Sequence, residues 1–391
     1  DSLFVFPDYV VKLTQTAYNR TTYMKKNDIF IPIFFILVIT TLIYLPSLKN
    51  GFVQWDDPTY VTDNVAIKYF SLAHLKQLAT SFHNKLYKPL VLLSFAFEYH
   101  FFKLNPFGYH AVSLCLHLLN GILVFSLIFL ISRSRVISFL TAFLFAVHPL
   151  HVESVAWVSE RKDLLYAFFF LLAILFYLLY RRDHSKKFYL FSLTAFVLSL
   201  LAKPQGIILP LILLIVDCYL EEKINPRFLF DKISFFIIAA GASLLNLSAL
   251  RSAIAEGTTL SFSFDGFLIA CHGILFYIGK IFIPIKLSCY YPYPKKMLGL
   301  MPMSYGMSPL IVMGMAFLIV WTRRYTKHIL FGSLFFLFTL LPVLPLAPLS
   351  PGIAAADRYT YISSIGVFYI VAVFFAFLYK RIFKNSKVLK T

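Results

Sequence analysis

The sequence predicts an all-α polytopic membrane protein, and three observations carry this prediction. The 391 residues are 59% hydrophobic and only 14% charged, which is far more apolar than a soluble domain of this size. The apolar residues fall in blocks of about 17 to 22, long enough for a helix to cross a hydrocarbon core. Basic residues sit in short clusters between these blocks, as they do at the cytoplasmic ends of membrane helices.

Each apolar block is assigned to one helix, because lipid offers no partner to an unpaired backbone amide. The predicted crossings lie near 29–48, 109–131, 136–150, 164–180, 188–203, 205–220, 233–250, 308–321, 329–347 and 361–379. A further block, 267–287, contains His272 and Lys280, so an eleventh crossing and a re-entrant or surface-lying helix both stay open. The fold class is therefore all-α, with about ten or eleven transmembrane helices and a long first external loop that carries interfacial helices.

The basic residues give the expected orientation. A formal net charge of +18 would suit a nucleic-acid-binding protein, but the cations are not gathered on one soluble surface. They mark the expected cytoplasmic ends at Arg133/Arg135, Arg181/Arg182/Lys186/Lys187, Arg323/Arg324/Lys327 and Lys380/Arg381/Lys384/Lys387. With the amino terminus inside, the external loops are 49–108, 148–163, 251–307 and 348–360. Anionic membrane lipids are the expected partners of the basic clusters, and nucleic acid is not.

One membrane domain is predicted for residues 24–391. No internal repeat, low-complexity tract or soluble domain interrupts it. Residues 1–23 are semi-polar and precede Met24, so we expect an amino-terminal extension without a role in the mechanism. The apolar run after Lys26 is too long for a cleavable signal and is expected to be an uncleaved anchor. The four cysteines lie in or beside apolar blocks without paired spacing, which predicts packing residues rather than disulfides.

The first external loop, 49–108, is too long for a simple connection and is the first candidate for function. Its segment 89–102 is apolar but short, which predicts a helix lying at the membrane surface. The loop opens with GFVQWDDPTYVTDN, in which Asp56 and Asp57 are adjacent. Two neighbouring carboxylates repel each other, which favours a proton-accepting role for one of them. An ordinary turn is the alternative, because Asp before Pro is a common turn signal.

The second external loop reads HPLHVESVAWVSERKD and contains cations on the side of the membrane where they are rare. Arg161 and Lys162 indicate an anionic ligand such as a phosphate, and lipid-headgroup contacts are the alternative. His148, His151 and Glu153 have a spacing that suits zinc only weakly, and ordinary hydrogen-bonding histidines are the alternative. No metal ligand is assigned, although a divalent cation stays open.

Further candidate residues lie on the same predicted face. Lys203 occupies the turn between two crossings, where a membrane-surface contact is the alternative to ligand binding. Asp357, Arg358 and Tyr359 lie in the last external loop, and a local ion pair of the first two is the alternative there. Tyr291 belongs to SCYYPYPKK, which suits either an aromatic belt at the membrane surface or stacking on a sugar or prenyl chain. The interiors of the crossings hold almost no acidic residues, which disfavours an ion-coupled transporter.

Six motifs along the chain resemble a known family. They are similar, in the same order, to the membrane part of the transmembrane and tetratricopeptide-repeat protein O-mannosyltransferases and their bacterial relatives. The motifs are GFVQWDDPTYVTDN, KPLVLLSFAFEYHFF, HPLHVESVAWVSERKDLL, LLAKPQGIILPLILL, YIGKIFIPIKLSCYYPYP, and TLLPV with AAADRYTYISSIG. The similarity covers roughly residues 29–379. The tetratricopeptide repeats that follow the membrane part in that family do not occur in this sequence.

The resemblance implies a GT-C superfamily enzyme that takes a sugar from a polyprenyl-phosphate carrier on the non-cytoplasmic side. By similarity, Asp56 is the expected catalytic base, and Asp57 is expected to orient the acceptor or the base. The remaining candidates are assigned to the donor phosphate or the substrate: His148, His151, Glu153, Arg161, Lys162, Lys203, Tyr291, Asp357, Arg358 and Tyr359. No Gly-rich nucleotide loop is present, which suits a lipid-linked donor.

The implied reaction is an inverting transfer of mannose or another hexose to a hydroxyl acceptor, expected to be a protein Ser or Thr. Single displacement inverts the anomeric carbon, and the sequence shows one carboxylate site for it. Two alternatives stay open: the same donor chemistry on a lipid or glycan acceptor, and a non-catalytic lipid-binding or flippase-like protein. The expected location is a bacterial inner membrane with the site on the non-cytoplasmic side.

Overall fold

The computed structural model describes residues 27–80, 87–221, 227–255, 263–296, 299–346 and 353–384. These residues form fifteen α-helices, several short 3₁₀ or π turns and one two-stranded sheet. The helices are α1 (Asn27–Tyr44), α2 (Leu72–Thr80), α3 (Pro89–Phe102), α4 (Pro106–Ser132), α5 (Arg135–Val147), α6 (Val152–Ala156), α7 (Arg161–Asp183), α8 (Lys186–Ala202), α9 (Leu209–Leu220), α10 (Arg227–Phe230), α11 (Ile233–Ala255), α12 (Phe264–Phe282), α13 (Met303–Thr322), α14 (Lys327–Leu340) and α15 (Ser364–Lys384). The strands are β1 (Tyr291–Pro292) and β2 (Ile353–Ala355). The predicted extension 1–23 lies outside the described residues.

Every apolar block predicted from the sequence coincides with a helix. Among the described residues, six helical segments are long and apolar enough to cross a membrane by length and composition. A seventh is obtained if α5 and the segment Pro149–Ala156, bent by 52° to each other, are taken as one span. Four shorter apolar helical segments accompany them. The all-α polytopic class is confirmed, although fewer helices reach spanning length alone than the predicted ten or eleven.

Capping side chains set the helix ends and keep the turns short. Asn105 accepts a hydrogen bond from the backbone N–H of Phe107, while Pro106 opens α4. Arg133 ends α4 in the left-handed region with φ 53°, and Ser134 caps α5 through the N–H of Ile137. The chain therefore reverses within two residues, so that α4 and α5 pack side by side.

Helices α4, α5, α7, α8 and α15 form the centre of the bundle, and α1 packs against α4 and α5. Helices α14 and α15 approach each other most closely at two glycines. A Cβ atom on Gly332 would lie 2.5 Å from the carbonyl oxygen of Gly366 and 2.6 Å from a side-chain carbon of Ile370. Only glycine fits this crossing, as is common where membrane helices pack closely.

At one end of the bundle, which we call the loop face, residues 50–60, 148–162, 203–208 and 353–360 meet. Hydrogen bonds and ion pairs described below join these loops to one another. Helix α3 lies within the first of the predicted external loops, with Phe95 buried and Phe97 and Phe101 exposed. One packed and one open side is what a helix at the membrane surface requires.

Helix α12 contacts the loop face near its carboxyl end, where the carbonyl of Ile281 accepts a hydrogen bond from Nε2 of His148 at 2.9 Å. Near its amino end, Gly266 lies against the backbone carbonyls of Pro345 and Leu346, in the loop that follows α14. The carboxyl end therefore meets a predicted external loop, and the amino end meets the external end of the predicted crossing 329–347. This placement favours a surface-lying helix, although its 19 residues are also long enough to cross.

Candidate functional site

The loop face contains a group of charged side chains that we call the charge cluster. Its members come from five separate parts of the chain: the loop after α1, the residue before α3, α6 with the start of α7, the turn after α8, and the loop before α15. The charge cluster consists of Asp56, Lys88, Glu153, Glu160, Lys162, Asp163, Lys203 and Arg358. Four positive and four negative groups are present, so the formal charges of the cluster balance.

Asp56 is the most exposed carboxylate of the charge cluster. Its side chain is 33% exposed, and Oδ2 lies 3.5 Å from Nζ of Lys162. The side chains of Glu153, Glu160 and Asp163 are at most 10% exposed and lie in closer ion pairs. Asp56 is thus the carboxylate of this cluster that an incoming hydroxyl can reach, held in place by a single long ion pair.

Asp57 has the opposite environment and is fully buried. Its Oδ2 accepts the backbone N–H of Val53 at 2.7 Å. Its Oδ1 accepts the indole N–H of Trp157 and the backbone N–H of Ser159, both at 3.0 Å, and also the Ser159 hydroxyl. These four donors tie the loop that carries Asp56 to the segment before α7. The contacts are those of a residue that positions its neighbour, in line with the orienting role expected of it.

Glu160 lies at the centre of the charge cluster and is fully buried. Its Oε1 is 2.9 Å from Nζ of Lys162 and 3.4 Å from Nε of Arg358. Arg358 also pairs with Glu153, whose Oε2 accepts the Arg358 backbone N–H at 2.9 Å. Burial lowers the pKa of the Arg358 guanidinium, but Glu160 and Glu153 outweigh burial and raise this pKa above its ordinary value. Glu160 therefore holds two cations, Lys162 and Arg358, side by side.

Two lysines complete the charge cluster. Lys203 pairs with Asp163 and lies 5.9 Å from the ring centroid of Tyr359. Lys88 is buried and donates to the hydroxyl of Tyr60 at 2.9 Å. Burial, with a further contribution from the nearby Lys162 ammonium, lowers the pKa of Lys88 to about 7. The charge cluster thus contains four basic side chains, Lys88, Lys162, Lys203 and Arg358, and Lys162 is the one that pairs with Asp56.

Arg161, the neighbour of Lys162, points elsewhere. It is fully buried and forms an ion pair with Glu98 of α3. Its guanidinium also donates to the carbonyl of Tyr109 at 2.6 Å and to the hydroxyl of Ser113 at 3.1 Å. These bonds connect α3, α4 and α7, and they occupy the side chain that the sequence suggested for a phosphate. The structure does not bring Arg161 together with the charge cluster.

The two histidines of the second external loop also face the bundle interior. His148 donates from Nε2 to Ile281, while its Nδ1 accepts the backbone N–H of Leu150 at 3.3 Å. His151 bonds the carbonyl of Phe145 at 2.8 Å and the hydroxyl of Ser364 at 3.2 Å. Neither histidine meets Glu153 at a shared point. Within the described ranges, no group of three His, Cys, Asp or Glu side chains is arranged to hold a metal ion.

Asp357 and Tyr291 hold one wall of the site. The Tyr291 hydroxyl donates to Asp357 at 3.0 Å, and Asp357 also accepts the backbone N–H of Ser288. Burial raises the pKa of Asp357 above its ordinary value, against the lowering effect of these two hydrogen bonds. Pairing of β1 with β2 places Cys289 so that its carbonyl accepts from Arg358 at 3.0 Å. The segment around Tyr291 is thereby fixed beside the charge cluster.

An apolar groove of about 560 Å³ runs between α12 and α13. It is lined by His272, Leu275, Phe276, Gly279, Lys280, Ile283, Ile285, Ser304, Met307, Ser308 and Ile311. Lys280 lies 5.2 Å from the ring centroid of Tyr291, so the groove ends next to the wall that Asp357 holds. A long apolar ligand in this groove would have its polar end near the loop face.

Of the charge cluster, sequence reasoning singled out Asp56, Glu153, Lys162, Lys203 and Arg358 but not Lys88, Glu160 or Asp163. Glu160 was hidden because it lies within an ordinary run of charged residues, ERKD, at a helix start. Lys88 could have been found by the argument that identified Lys162, because Lys88 is also a cation in a loop predicted to be external. A lysine directly before an apolar helix is also typical of the membrane surface, so its position alone does not indicate a site residue.

Comparison with curated proteins gives similarity to one group of relatives. The mouse protein O-mannosyl-transferase TMTC1 is 43% identical over 103 residues, 26% of this chain and 11% of the relative. Human TMTC4 is 34% identical over 197 residues, 45% of this chain and 26% of the relative. Human TMTC3 is 34% identical over 190 residues, 44% of this chain and 20% of the relative. The chain is a homologue of these TMTC proteins.

The homology to TMTC proteins confirms the resemblance expected from the motifs. The chain spans between about a tenth and a quarter of the length of these TMTC relatives. No family model matches the chain. No solved structure matches it either, so the geometry of the charge cluster rests on the present structure alone.

Proposed function

We propose that the chain is an inverting glycosyltransferase of the GT-C type that moves mannose or another hexose from a polyprenyl-phosphate carrier to a protein Ser or Thr hydroxyl. The observation that carries this proposal is the position of Asp56, an accessible carboxylate that pairs with Lys162 within the charge cluster. The names of the TMTC relatives, protein O-mannosyl-transferases, support the sugar and the protein acceptor.

In the proposed reaction, Asp56 accepts the proton of the acceptor hydroxyl. The acceptor oxygen then forms a bond to the anomeric carbon, while the bond between that carbon and the phosphate oxygen breaks. The electron pair leaves with the lipid phosphate. Lys162, Lys203 and Arg358 are the cations that stabilise the charge growing on it. Because one displacement occurs, the anomeric configuration inverts.

The charge balance of the cluster supports an anionic ligand. Each cation already has a carboxylate or phenol partner, so an arriving phosphate would exchange partners within an existing group of charges rather than enter an apolar cavity. Arg358 suits this exchange because its guanidinium offers several donors in a fixed plane. The groove between α12 and α13 is the proposed place for the first part of the prenyl chain, and Lys280 lies at its end.

We place the site on the non-cytoplasmic side of the membrane. The support is the arrangement of charge, since Arg181 and Arg182 end α7, whose first residues carry the charge cluster. A bacterial inner membrane stays the prediction for the location. Residues 24–391 are proposed to act as a single membrane domain.

Transfer from a polyprenyl-phosphate sugar tests the proposal in membranes that carry matched amounts of each variant. Asp56→Asn should lower the rate by about 10² to 10⁴, the usual contribution of a general base. Asp63→Asn is the control, because Asp63 belongs to the same loop but is exposed, and its side chain accepts a hydrogen bond from the adjacent Thr62 hydroxyl. Equal rates for parent and Asp56→Asn would remove Asp56 from the role of base.

The acceptor is identified by mass spectrometry of the protein and lipid fractions after the reaction. A hexose found on Ser or Thr supports the protein acceptor. A hexose found only in the lipid or glycan fraction would keep the donor chemistry and replace the acceptor.

A further inference from the structure

We propose that Trp55, Trp157 and Tyr290 form a platform that binds the pyranose ring of the sugar beside Asp56. The proposal deepens the proposed function, on which it rests for the reaction of that sugar, but binding by the platform can be measured without transfer. Neither tryptophan was a candidate from the sequence, whereas Tyr290 belongs to SCYYPYPKK, the stretch considered there for stacking on a sugar or prenyl chain.

The three rings come from two predicted external loops and from the segment that leads into β1. The centroid of Trp55 lies 6.1 Å from that of Trp157 and 6.5 Å from that of Tyr290, with tilted planes. Trp55 is 55% exposed and Tyr290 is 38% exposed, so their faces are open to a ligand. The chain contains three tryptophans, and two of them, Trp55 and Trp157, meet here although about 100 positions separate them in the sequence.

Each ring is attached to the charge cluster. Trp55 directly precedes Asp56 in the chain. The indole N–H of Trp157 donates to Asp57 at 3.0 Å, and the Arg358 guanidinium lies 5.9 Å from the centroid of its ring. Tyr290 follows the residue whose carbonyl accepts from Arg358. A ring that stacks on the platform therefore lies next to the accessible carboxylate and next to a cation.

This combination of groups matches a pyranose better than it matches a lipid tail. A pyranose has a face of C–H groups and a rim of hydroxyls. Aromatic faces bury the C–H groups, while carboxylates and cations accept and donate at the rim. A lipid tail would gain from the rings but could form no hydrogen bond with the neighbouring charged groups and would shield them from water. A fixed orientation of Trp157 through Asp57 also lowers the cost of ordering the platform when the sugar binds.

Intrinsic fluorescence tests the platform in the full chain reconstituted in lipid nanodiscs. Trp321 lies at the carboxyl end of α13, outside the platform, and is replaced by Phe in the parent used for this test. The remaining two tryptophans, Trp55 and Trp157, are then the emitters. Methyl α-mannoside is the probe, and acrylamide quenching reports the exposure of the two indoles. We expect methyl α-mannoside to reduce quenching in this background and to lose most of that effect when Trp55→Leu is added.

Nanodiscs made with brominated lipids complete the test, because bromine quenches an indole that sits among acyl chains. Strong quenching by these lipids, with no protection by methyl α-mannoside up to its solubility limit, would overturn the proposal and assign Trp55 to a membrane anchor. Protection from acrylamide without bromine quenching supports the platform. This result stands even if no transfer activity is found, which would count only against the proposed function.

A kinetic comparison adds a second readout. Trp55→Phe keeps an aromatic face, whereas Trp55→Leu keeps only apolar bulk. We expect Trp55→Leu to raise the KM for the sugar donor about tenfold with a smaller change in kcat, and Trp55→Phe to restore most of the loss, since a tenfold change corresponds to about 1.4 kcal/mol of binding. Equal KM values for Trp55→Leu and the parent would overturn the proposal while leaving the role of Asp56 untouched.

Discussion

Glu160→Gln is the substitution that tests the charge cluster most directly. The carboxylate is fully buried, and its Oε1 lies 2.9 Å from the ammonium of Lys162 and 3.4 Å from Nε of Arg358. At an effective dielectric constant of about 20, these distances correspond to attractions of about 6 and about 5 kcal/mol. Desolvation of three charges offsets much of this sum, so the net stabilisation of the intact group is small.

Removing the charge of Glu160 has a larger effect on stability than the small net stabilisation of the intact group suggests. Lys162 and Arg358 would stay close to each other without the carboxylate between them. Loss of one partner of a buried ion pair typically costs about 3 to 5 kcal/mol, and we expect a loss in this range for Glu160→Gln. The free energy of unfolding is measured on purified protein in mixed micelles by titration with a denaturing detergent, with circular dichroism as the signal.

Glu221→Gln is the matched control at the other end of α7. Glu221 also pairs with an arginine, Arg181, but its side chain is 35% exposed, and Arg181 keeps a second partner in Asp217. We therefore expect a loss of about 1 kcal/mol or less for the control. If Glu160→Gln destabilises the protein no more than Glu221→Gln does, burial of the charge cluster does not have the energetic effect derived from it.

Two further predictions concern packing and pH. Gly332→Ala should lower the unfolding temperature and the yield of folded protein, because its Cβ would lie 2.5 Å from the carbonyl oxygen of Gly366. Gly314→Ala in α13 is the control, since nothing lies within 4 Å of its Cβ. Equal thermal stability of the two variants would contradict the packing argument. Lys88 has a folded pKa of about 7 against an ordinary value of 10.5, so between these values the unfolded chain binds the additional proton and stability rises with pH. Lys88→Met should remove that rise, and an unchanged slope of unfolding free energy between pH 7 and 10 would show that Lys88 is not the group responsible.

The fold was largely predictable because the membrane imposes strong rules on sequence. Every apolar block became a helix, since backbone amides have no other partner in lipid. The prediction exceeded the structure in the number of helices long enough to span alone, since α9 and α14 stop short at Glu221 and Leu341. For block 267–287, the sequence left a crossing and a surface-lying helix open, and only the contacts of α12 with the loop face favoured the surface-lying helix.

The candidate site was predictable in part. Asp56 stood out because it is one of two adjacent carboxylates in the first external loop, and its role as base stays a prediction, as does the orienting role of Asp57. Arg161 and Lys162 were treated alike by the sequence, yet they serve different neighbours. Consecutive residues on a helix point about 100° apart, so two adjacent cations at the start of α7 cannot face the same partner.

The sequence by itself determined that this protein crosses the membrane repeatedly, which end of the bundle carries polar loops, and which family its motifs resemble. These properties follow from composition and spacing, which act locally along the chain. Only the tertiary structure decided that Glu160 joins Lys162 to Arg358, that Lys88 is buried beside Tyr60, and that Trp55 meets Trp157. The contacts of Glu160 with Arg358 and of Trp55 with Trp157 join different loops, and Lys88 and Tyr60 are 28 positions apart within one loop. Their distances depend on how whole helices pack rather than on any local pattern.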